Sequence, residues 1–303
     1  MATLSYSDRV RDLALELTWS LWAELGVSGW KRHHENVAID LEPLIIATSS
    51  LGRLDARLLD ESLDWCVANT RFVSGARLRN LLTTFDEATT KAFGSYAATV
   101  RAHRTVGWPG EGTALRFSPT GRSSKPELGR PALVQLRLRA IFGVSAREEI
   151  IRRMLPEPNR PFGIAELAMF TAYGKDNIAD ALDMMVMAGI VARNVMTTAG
   201  NVQVFTLSTA GRLESLLGEI PAPNGYPYWA ARFRVLLMLV DFAASGPKDR
   251  IVRAAEIERQ VGEMQSDLRW IGTFPHMRRG IEAVNDDFET WSIGLLSNWA
   301  HIP

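Results

Sequence analysis

The sequence is poor in the residues on which metal and disulfide chemistry depends. It has one cysteine, Cys66, and five histidines in 303 residues. A single thiol excludes an intramolecular disulfide framework and a cysteine-based zinc cluster, and it predicts a reducing, cytoplasmic setting. Long apolar runs are also lacking. The stretch 235–240 is typical, far short of the roughly 20 residues that span a bilayer, so no membrane partner is expected. Asp8, Arg9, Arg11, Asp12 and Glu16 interrupt the N-terminus, which excludes the basic-then-apolar pattern of a secretory signal. Net charge is absent too, with 34 Lys+Arg against 34 Asp+Glu. What the chain does have is apolar substance. With 47% hydrophobic and 22% charged residues, it can bury a core, and disorder throughout is excluded.

The neutral total hides an uneven distribution. Residues 101–144 carry eight basic and two acidic side chains, while 1–100, 145–217 and 218–303 are each mildly acidic. Arg101, Arg104, Arg116, Arg122, Lys125 and Arg130 flank or lie in a stretch, 105–131, that is dense in Gly and Pro. Such a stretch predicts a loop or linker, and its charge predicts an anion-binding patch.

Periodicity divides the rest. Val10, Leu13, Leu17, Leu21 and Leu25 recur at helical spacing, with Ser7 as the expected cap. Further helices are predicted from Asp40 or Glu42 to Gly52, from Asp55 through Cys66, over 75–82 and over 87–103, making 1–104 an all-helical unit. A short helix follows at 132–142. Ser145 with Glu148 has the spacing of a capping box for a helix carrying Ile150, Ile151 and Met154. Then come a short helix at 163–170, a turn at Tyr173-Gly174, a helix at 175–188 stopped by Gly189, and two strands, 190–195 and 202–207, around a turn at 197–201. A closing helix at 209–217 precedes a Pro-rich linker and a helical region, 218–303. The expected domains are thus 1–104, a basic linker 105–131, 132–217, and 218–303.

Helix, short helix, turn, helix, hairpin is the order of a winged helix. Ala165-Glu166-Leu167-Ala168, the turn at Tyr173-Gly174, Asn177-Ile178, Ala181-Leu182 and Gly189-Ile190-Val191 resemble the pattern of bacterial winged-helix transcription regulators over about a quarter of the chain. The fold class expected is therefore mainly α: a helical N-terminal region, a central winged helix with a β-hairpin wing, and a helical C-terminal region. The resemblance implies a third helix in the major groove of double-stranded DNA. On it Lys175, Asp176, Asn177, Asp180 and Asp183 face outward. The wing tip is Thr197, Thr198, Gly200 and Asn201, with Arg193 and Gln203 at its base. Arg152, Arg153 and Arg160, with Arg130 of the basic stretch, are the expected phosphate contacts. Asn177 and Gln203 suit adenine edges, and an Asp can accept from cytosine. A homodimer reading palindromic half-sites is implied as well.

Three carboxylates on the helix meant to approach phosphate depart from that pattern. Winged helices also serve as protein-docking modules, so a docking role stays open beside a DNA-binding repressor. The layout is also similar to the AbiEi-type antitoxins, which pair with a nucleotidyltransferase toxin, although those usually carry the winged helix at the N-terminus.

Nothing points to an enzyme or a cofactor. Glycine-rich phosphate loops, Gly-x-Ser-x-Gly and His-Glu-x-x-His are missing. His33-His34-Glu35 reads as a solvated loop and Asp286-Asp287-x-Glu289 as a solvated helix face, so no metal is expected. Cys66 falls on an apolar stripe and is expected to be buried and inert. Trp19, Trp22, Trp65, Trp270, Trp291 and Trp299 fall on helical stripes that predict core. Trp30 and Trp108 lie in polar loops, where base stacking is open to them. Met184, Met185 and Met187 are expected to fill core and interface.

Overall fold

A computed structural model describes residues 4–28, 34–196, 202–247 and 249–301. The chain is mainly helical, with one two-stranded antiparallel sheet among the described residues. The first helix, α1 (Tyr6–Glu24), is capped by Ser5, whose Oγ accepts from the Asp8 amide at 3.1 Å, and not by Ser7. Its apolar stripe (Val10, Ala14, Leu17, Leu21, Trp22) lies against α2 (Leu41–Leu51), α11 (Trp229–Ser245) and α14 (Ile281–Ala300). Every residue of α2 is buried, because its apolar side chains go all the way round rather than along one stripe. It is the central rod of the larger core. Around it pack α3 (Ala56–Asn69), α4 (Gly75–Leu82) and α5 (Glu87–His103), with α12 (Arg250–Glu263) and α13 (Gln265–Ile271) closing the far side.

The N- and C-terminal helical regions thus build one core. Trp22, Trp65, Phe93, Phe233, Phe242 and Phe288 all belong to it. The indoles are held by polar bonds as well as by burial. Trp22 donates to Thr48 Oγ1 at 2.8 Å, Trp65 to the Leu25 carbonyl at 2.7 Å, and Trp229 to the Ala38 carbonyl at 2.7 Å, so each buried N–H has its acceptor. Cys66 is buried, and burial pushes its thiol up to about 12, which keeps it unreactive.

Residues 105–130 contain no helix or strand, as their Gly and Pro content predicts, but they are not a loose tether. They form a strap across the N-terminal helices. Trp108 is buried and stacks on Phe93 at 6.3 Å, which removes it as a base-stacking platform. Asp64 accepts the amides of Thr120 and Gly121 at 2.6 and 2.9 Å. Arg101 donates to the carbonyls of Trp108, Pro109 and Gly110.

A second, smaller core is built from α6 (Val134–Phe142), α7 (Ala146–Met154), α8 (Ile164–Thr171), α9 (Lys175–Met187), β1 (Val191–Met196), β2 (Val202–Leu207) and α10 (Ala210–Leu217). Ile150, Met154, Phe162, Leu167, Ile178, Leu182 and Phe205 fill it. Gly189, at φ +70°, turns the chain from α9 into β1, a conformation without penalty only for glycine. The hairpin pairs Val191 with Leu207 through Met196 with Val202. Ser145 stands at the N-cap of α7 but makes no capping bond, and its Oγ is buried without a partner. Glu148 turns to Arg139 instead of back to the cap, so the expected capping box is not formed.

Candidate functional site

Three elements set the exposed end of the smaller unit. Ile178, Ala181, Leu182 and Met185 anchor α9 inward, so the opposite face is presented to solvent. That face carries Lys175, Asp176, Asn177, Asp180, Asp183, Met184 and Met187, all exposed. Met184 and Met187 are 55% and 82% exposed, whereas Met185 is 2% exposed; the expectation of core packing holds for Met185 alone. Val195 and Val202 on the hairpin are exposed as well. Gln203 is exposed too, but it lies opposite Val195, one pair from the turn, and not at the base of the hairpin. Thr197, Thr198, Gly200 and Asn201 lie outside the described residues, as do Trp30 and His33.

Of the sequence-predicted cations, Lys175 stands on this face and Arg193 reaches it through Asp183, while the others lie elsewhere. Arg152 sits in the interior, with Nη2 on Asp40 Oδ2 at 2.9 Å and Nε on Glu149 Oε2 at 2.9 Å. It is only 8% exposed, so the phosphate contact expected of it gives way to an internal ion pair. Arg153 covers the Phe170 ring at 4.3 Å and donates to Glu157. Arg160 covers Phe162 at 4.5 Å and pairs with Glu166 at 2.7 Å. Arg193 pairs with Asp183. Arg130 pairs with Glu24 on α1. The positive excess of 101–144 is largely consumed in the same way. Arg104 donates to the Val67 carbonyl, Arg137 to the carbonyls of Leu128, Leu217, Glu219 and Arg130, and Arg139 to a buried acidic cluster. Arg116, Arg122 and Lys125 remain exposed.

The cluster that absorbs these arginines was not foreseen. Asp40 and Glu42 at the start of α2 meet Arg77 of α4, Gln135 and Arg139 of α6, and Glu149 and Arg152 of α7. Arg139 donates to Glu42 at 2.6 and 2.9 Å, Glu148 at 2.9 Å, Glu149 at 2.7 Å and the Phe72 carbonyl at 2.5 Å. Arg77 bridges Asp40, Glu42 and the Thr171 carbonyl. This network is where the smaller unit is bolted to the larger core. Burial alone would raise the Glu149 carboxyl, but Arg152, Arg77 and Arg139 outweigh it and hold the group at about 2. Glu148 is driven the other way, by burial and by its neighbour Glu149. One sequence signal points to such a site: Glu42 is the one charged residue of α2, where an unpaired buried charge would be costly.

Two further residues depart from their expected surroundings. His34 is fully buried, its Nε2 3.0 Å from Ser20 Oγ and its amide donating to Glu24 at 3.1 Å, not part of a solvated loop. Trp270 is 44% exposed and packs edge-on to Phe170 at 5.0 Å and Tyr228 at 6.1 Å.

At the N-terminal end of α9 a groove of about 350 Å³ runs between α4, α7 and α9, with Ala76, Arg147, Tyr173, Asn177 and Met184 in its walls. The Tyr173 hydroxyl lies 2.9 Å from that of Ser74, and Asn80 donates to the Ala172 carbonyl at 2.9 Å. Among the described residues no cluster of three or more His, Cys, Asp or Glu could hold a metal ion, and no helix is long and apolar enough to cross a membrane. No protein-family model matches the chain, and neither a curated protein sequence nor a solved structure matches it.

Proposed function

We propose that residues 132–217 are a winged helix whose third helix, α9, docks a protein partner, and that the chain acts as a regulator through that contact rather than through a catalytic step. One observation carries the reading. The outward face of α9 offers Asp176 and Asp180, with Asp183 paired to Arg193, beside the exposed Met184 and Met187, and among the described residues Lys175 is the one cation of α9. Carboxylates repel a phosphate backbone but complement a basic protein surface. Exposed methionines adapt to a partner's shape at small cost. The partner is therefore a protein with a basic, partly apolar patch. The similarity to AbiEi-type antitoxins favours a nucleotidyltransferase toxin as that protein.

A second reading, a homodimeric DNA-binding repressor, is favoured by one specific feature. Lys175 and Asn177 lie on the first turn of α9, and Arg147 lines the same groove. Among the described residues Lys175 and Arg147 have no ion pair, and a helix N-terminus favours a phosphate. One set of experiments separates the two. A tagged chain treated with nuclease is expected to retain one stoichiometric partner, and to lose it in Asp180→Arg and Met187→Glu. If those variants hold the partner unchanged, docking through α9 is overturned. The DNA reading is upheld instead if the chain binds its own upstream DNA with an affinity that falls steeply with salt and that Lys175→Glu abolishes.

A further inference from the structure

The two-stranded sheet of the smaller unit has one covered edge and one open edge. On β2 the amide and carbonyl of Phe205 bond to those of Phe162, both at 2.9 Å, and the Leu207 amide donates to the Pro158 carbonyl at 3.0 Å. Phe205 and Leu207 thus turn their backbone groups away from β1, and Val202, Val204 and Thr206 turn theirs towards it. In an antiparallel pair the two directions alternate along both strands. Ala192, Asn194 and Met196 stand opposite Thr206, Val204 and Val202 and close the ladder. Val191, Arg193 and Val195 turn their N–H and C=O groups to the outer side of β1, where no backbone group of the described residues meets them.

Nothing blunts this edge. β1 keeps a continuous register over six residues, so it carries no bulge, and it contains neither proline nor lysine. Arg193, its one charge, is drawn back over the Phe205 ring at 5.7 Å and onto Asp183. Sheet edges are ordinarily protected by such devices. An unprotected one is a template on which an extended segment adds as a further strand.

The surroundings say which segment fits. Because Arg193 reaches Asp183, the row of α9 that holds Asp183 runs alongside β1. At helical spacing that row is Asp176, Asp180, Asp183 and Met187, all exposed. A strand laid about 4.8 Å beyond β1 has this acidic row over one face. Its other face continues that of Ala192, Met196 and Val202, which is mainly apolar. A second copy of this chain is a poor occupant. Two-fold pairing of β1 with itself puts both α9 helices on one side of the joined sheet, acid row against acid row. We propose that the outer edge of β1 receives an extended segment of the protein partner as an added strand, with basic side chains on the α9 side and apolar ones on the other. This rests on the reading of α9 as a protein-docking face and adds to it the form in which the partner is held.

The test titrates the full chain with a capped octapeptide of alternating lysine and valine, beside its glutamate–valine counterpart, and follows amide hydrogen exchange by NMR. The lysine peptide is expected to bind saturably below about 100 μM, and at least about ten-fold more tightly than the glutamate peptide. On binding, the amides of Val191, Arg193 and Val195 are expected to exchange about ten-fold more slowly, while those of Ala192, Asn194 and Met196, already bonded to β2, stay as they were. A ligand lying on α9 alone gives no such alternation. Val195→Pro removes one outward donor and spares the β1–β2 ladder, and is expected to weaken the lysine peptide about ten-fold. Strand addition is overturned by the absence of saturable binding, by equal affinity for the glutamate peptide, or by unslowed exchange at the three outward amides. Unslowed amides with binding that Asp180→Arg abolishes leave docking on α9 standing without the added strand. Slowed amides with an affinity unchanged in Asp180→Arg uphold the strand and overturn docking through α9.

Discussion

The side chain of Arg139 is fully buried, and it reaches three carboxylates and a carbonyl. A buried charge is tolerable only when it is paired and fully hydrogen-bonded, and removing one partner strands the others. Glu149 and Glu148, adjacent in sequence, differ in what they would lose. Glu149 is ionised at about 2 and accepts from Gln135, Arg139 and Arg152. Glu148 is held well above the usual carboxylate range and leaves Oε2 unpartnered. Glu149→Gln is therefore expected to cost about 3–5 kcal/mol, whereas Glu148→Gln, which keeps an acceptor for Arg139, is expected to change stability by under about 1 kcal/mol, both read from urea unfolding. The pH dependence carries the same signature. Glu149 falls from its ordinary 4.5 to about 2 on folding. Its stabilisation is complete above about 4.5 and is lost as pH falls towards 2, a contribution of roughly 3 kcal/mol. Glu148, with the opposite shift, subtracts stability as pH rises through its unfolded value. Acid unfolding of Glu149→Gln is expected to be shallower than that of the parent chain between pH 4.5 and 2; an unchanged profile would show that Glu149 is not the titrating group.

The helices also differ in how completely local sequence specifies them. The bounds of α4 and α5, 75–82 and 87–103, are legible from the sequence, and in the structure Ser74 and Asp86 cap them, since an N-cap side chain acts within its own turn. Ser145 looks like an equally good cap and makes no bond, because its neighbour Glu148 is drawn into a tertiary ion pair. The turn between α8 and α9 holds Ala172 at φ +55°, a left-handed conformation that strains any side chain. Ala172→Gly is expected to be neutral or to raise stability by up to about 1 kcal/mol in thermal unfolding; a clear loss would argue against that geometry. The strap tests an opposite constraint. A Cβ on Gly94 of α5 would overlap the Glu111 carbonyl oxygen, and one on Gly112 would overlap the backbone of α5. Gly94→Ala must push the strap outward, at an expected cost of about 1–3 kcal/mol, together with faster proteolytic cutting within 105–130. Thermal unfolding and timed protease digestion check both.

The whole molecule is organised by two cores that do not follow chain order. Helices α1 and α14, nearly three hundred residues apart, pack together, and α11 lies on both α1 and α2. Phe288 of α14 touches Phe242 at 5.2 Å and is fully buried. Phe288→Ala is expected to cost about 3–5 kcal/mol and to lower the unfolding midpoint reported by the N-terminal tryptophans Trp22 and Trp65 along with that of the C-terminal helices. Separate transitions for the two ends would contradict a common core. At the same scale, five of the eight basic side chains of 101–144 are spent inside the molecule, and Arg116, Arg122 and Lys125 remain exposed. Arg101, Arg104, Arg130, Arg137 and Arg139 donate to carbonyls and carboxylates of their own protein, because a buried carbonyl needs a donor as much as a phosphate does.

What the sequence by itself determined is local: the helices, the Gly- and Pro-broken strap, the hairpin after Gly189, and the outward face of α9, each written in spacing a few residues long. The fate of the charges was decided only by the tertiary structure. A guanidinium is donated to whichever acceptor the packing brings within about 3 Å, and the acceptors for Arg139, Arg152 and Arg77 come from helices up to 112 residues away. No periodicity records such a distance. The shared core of the two ends and the packing of Trp270 on Phe170 and Tyr228 belong to the same category, since both are made of surfaces that are contiguous only after the chain has closed on itself.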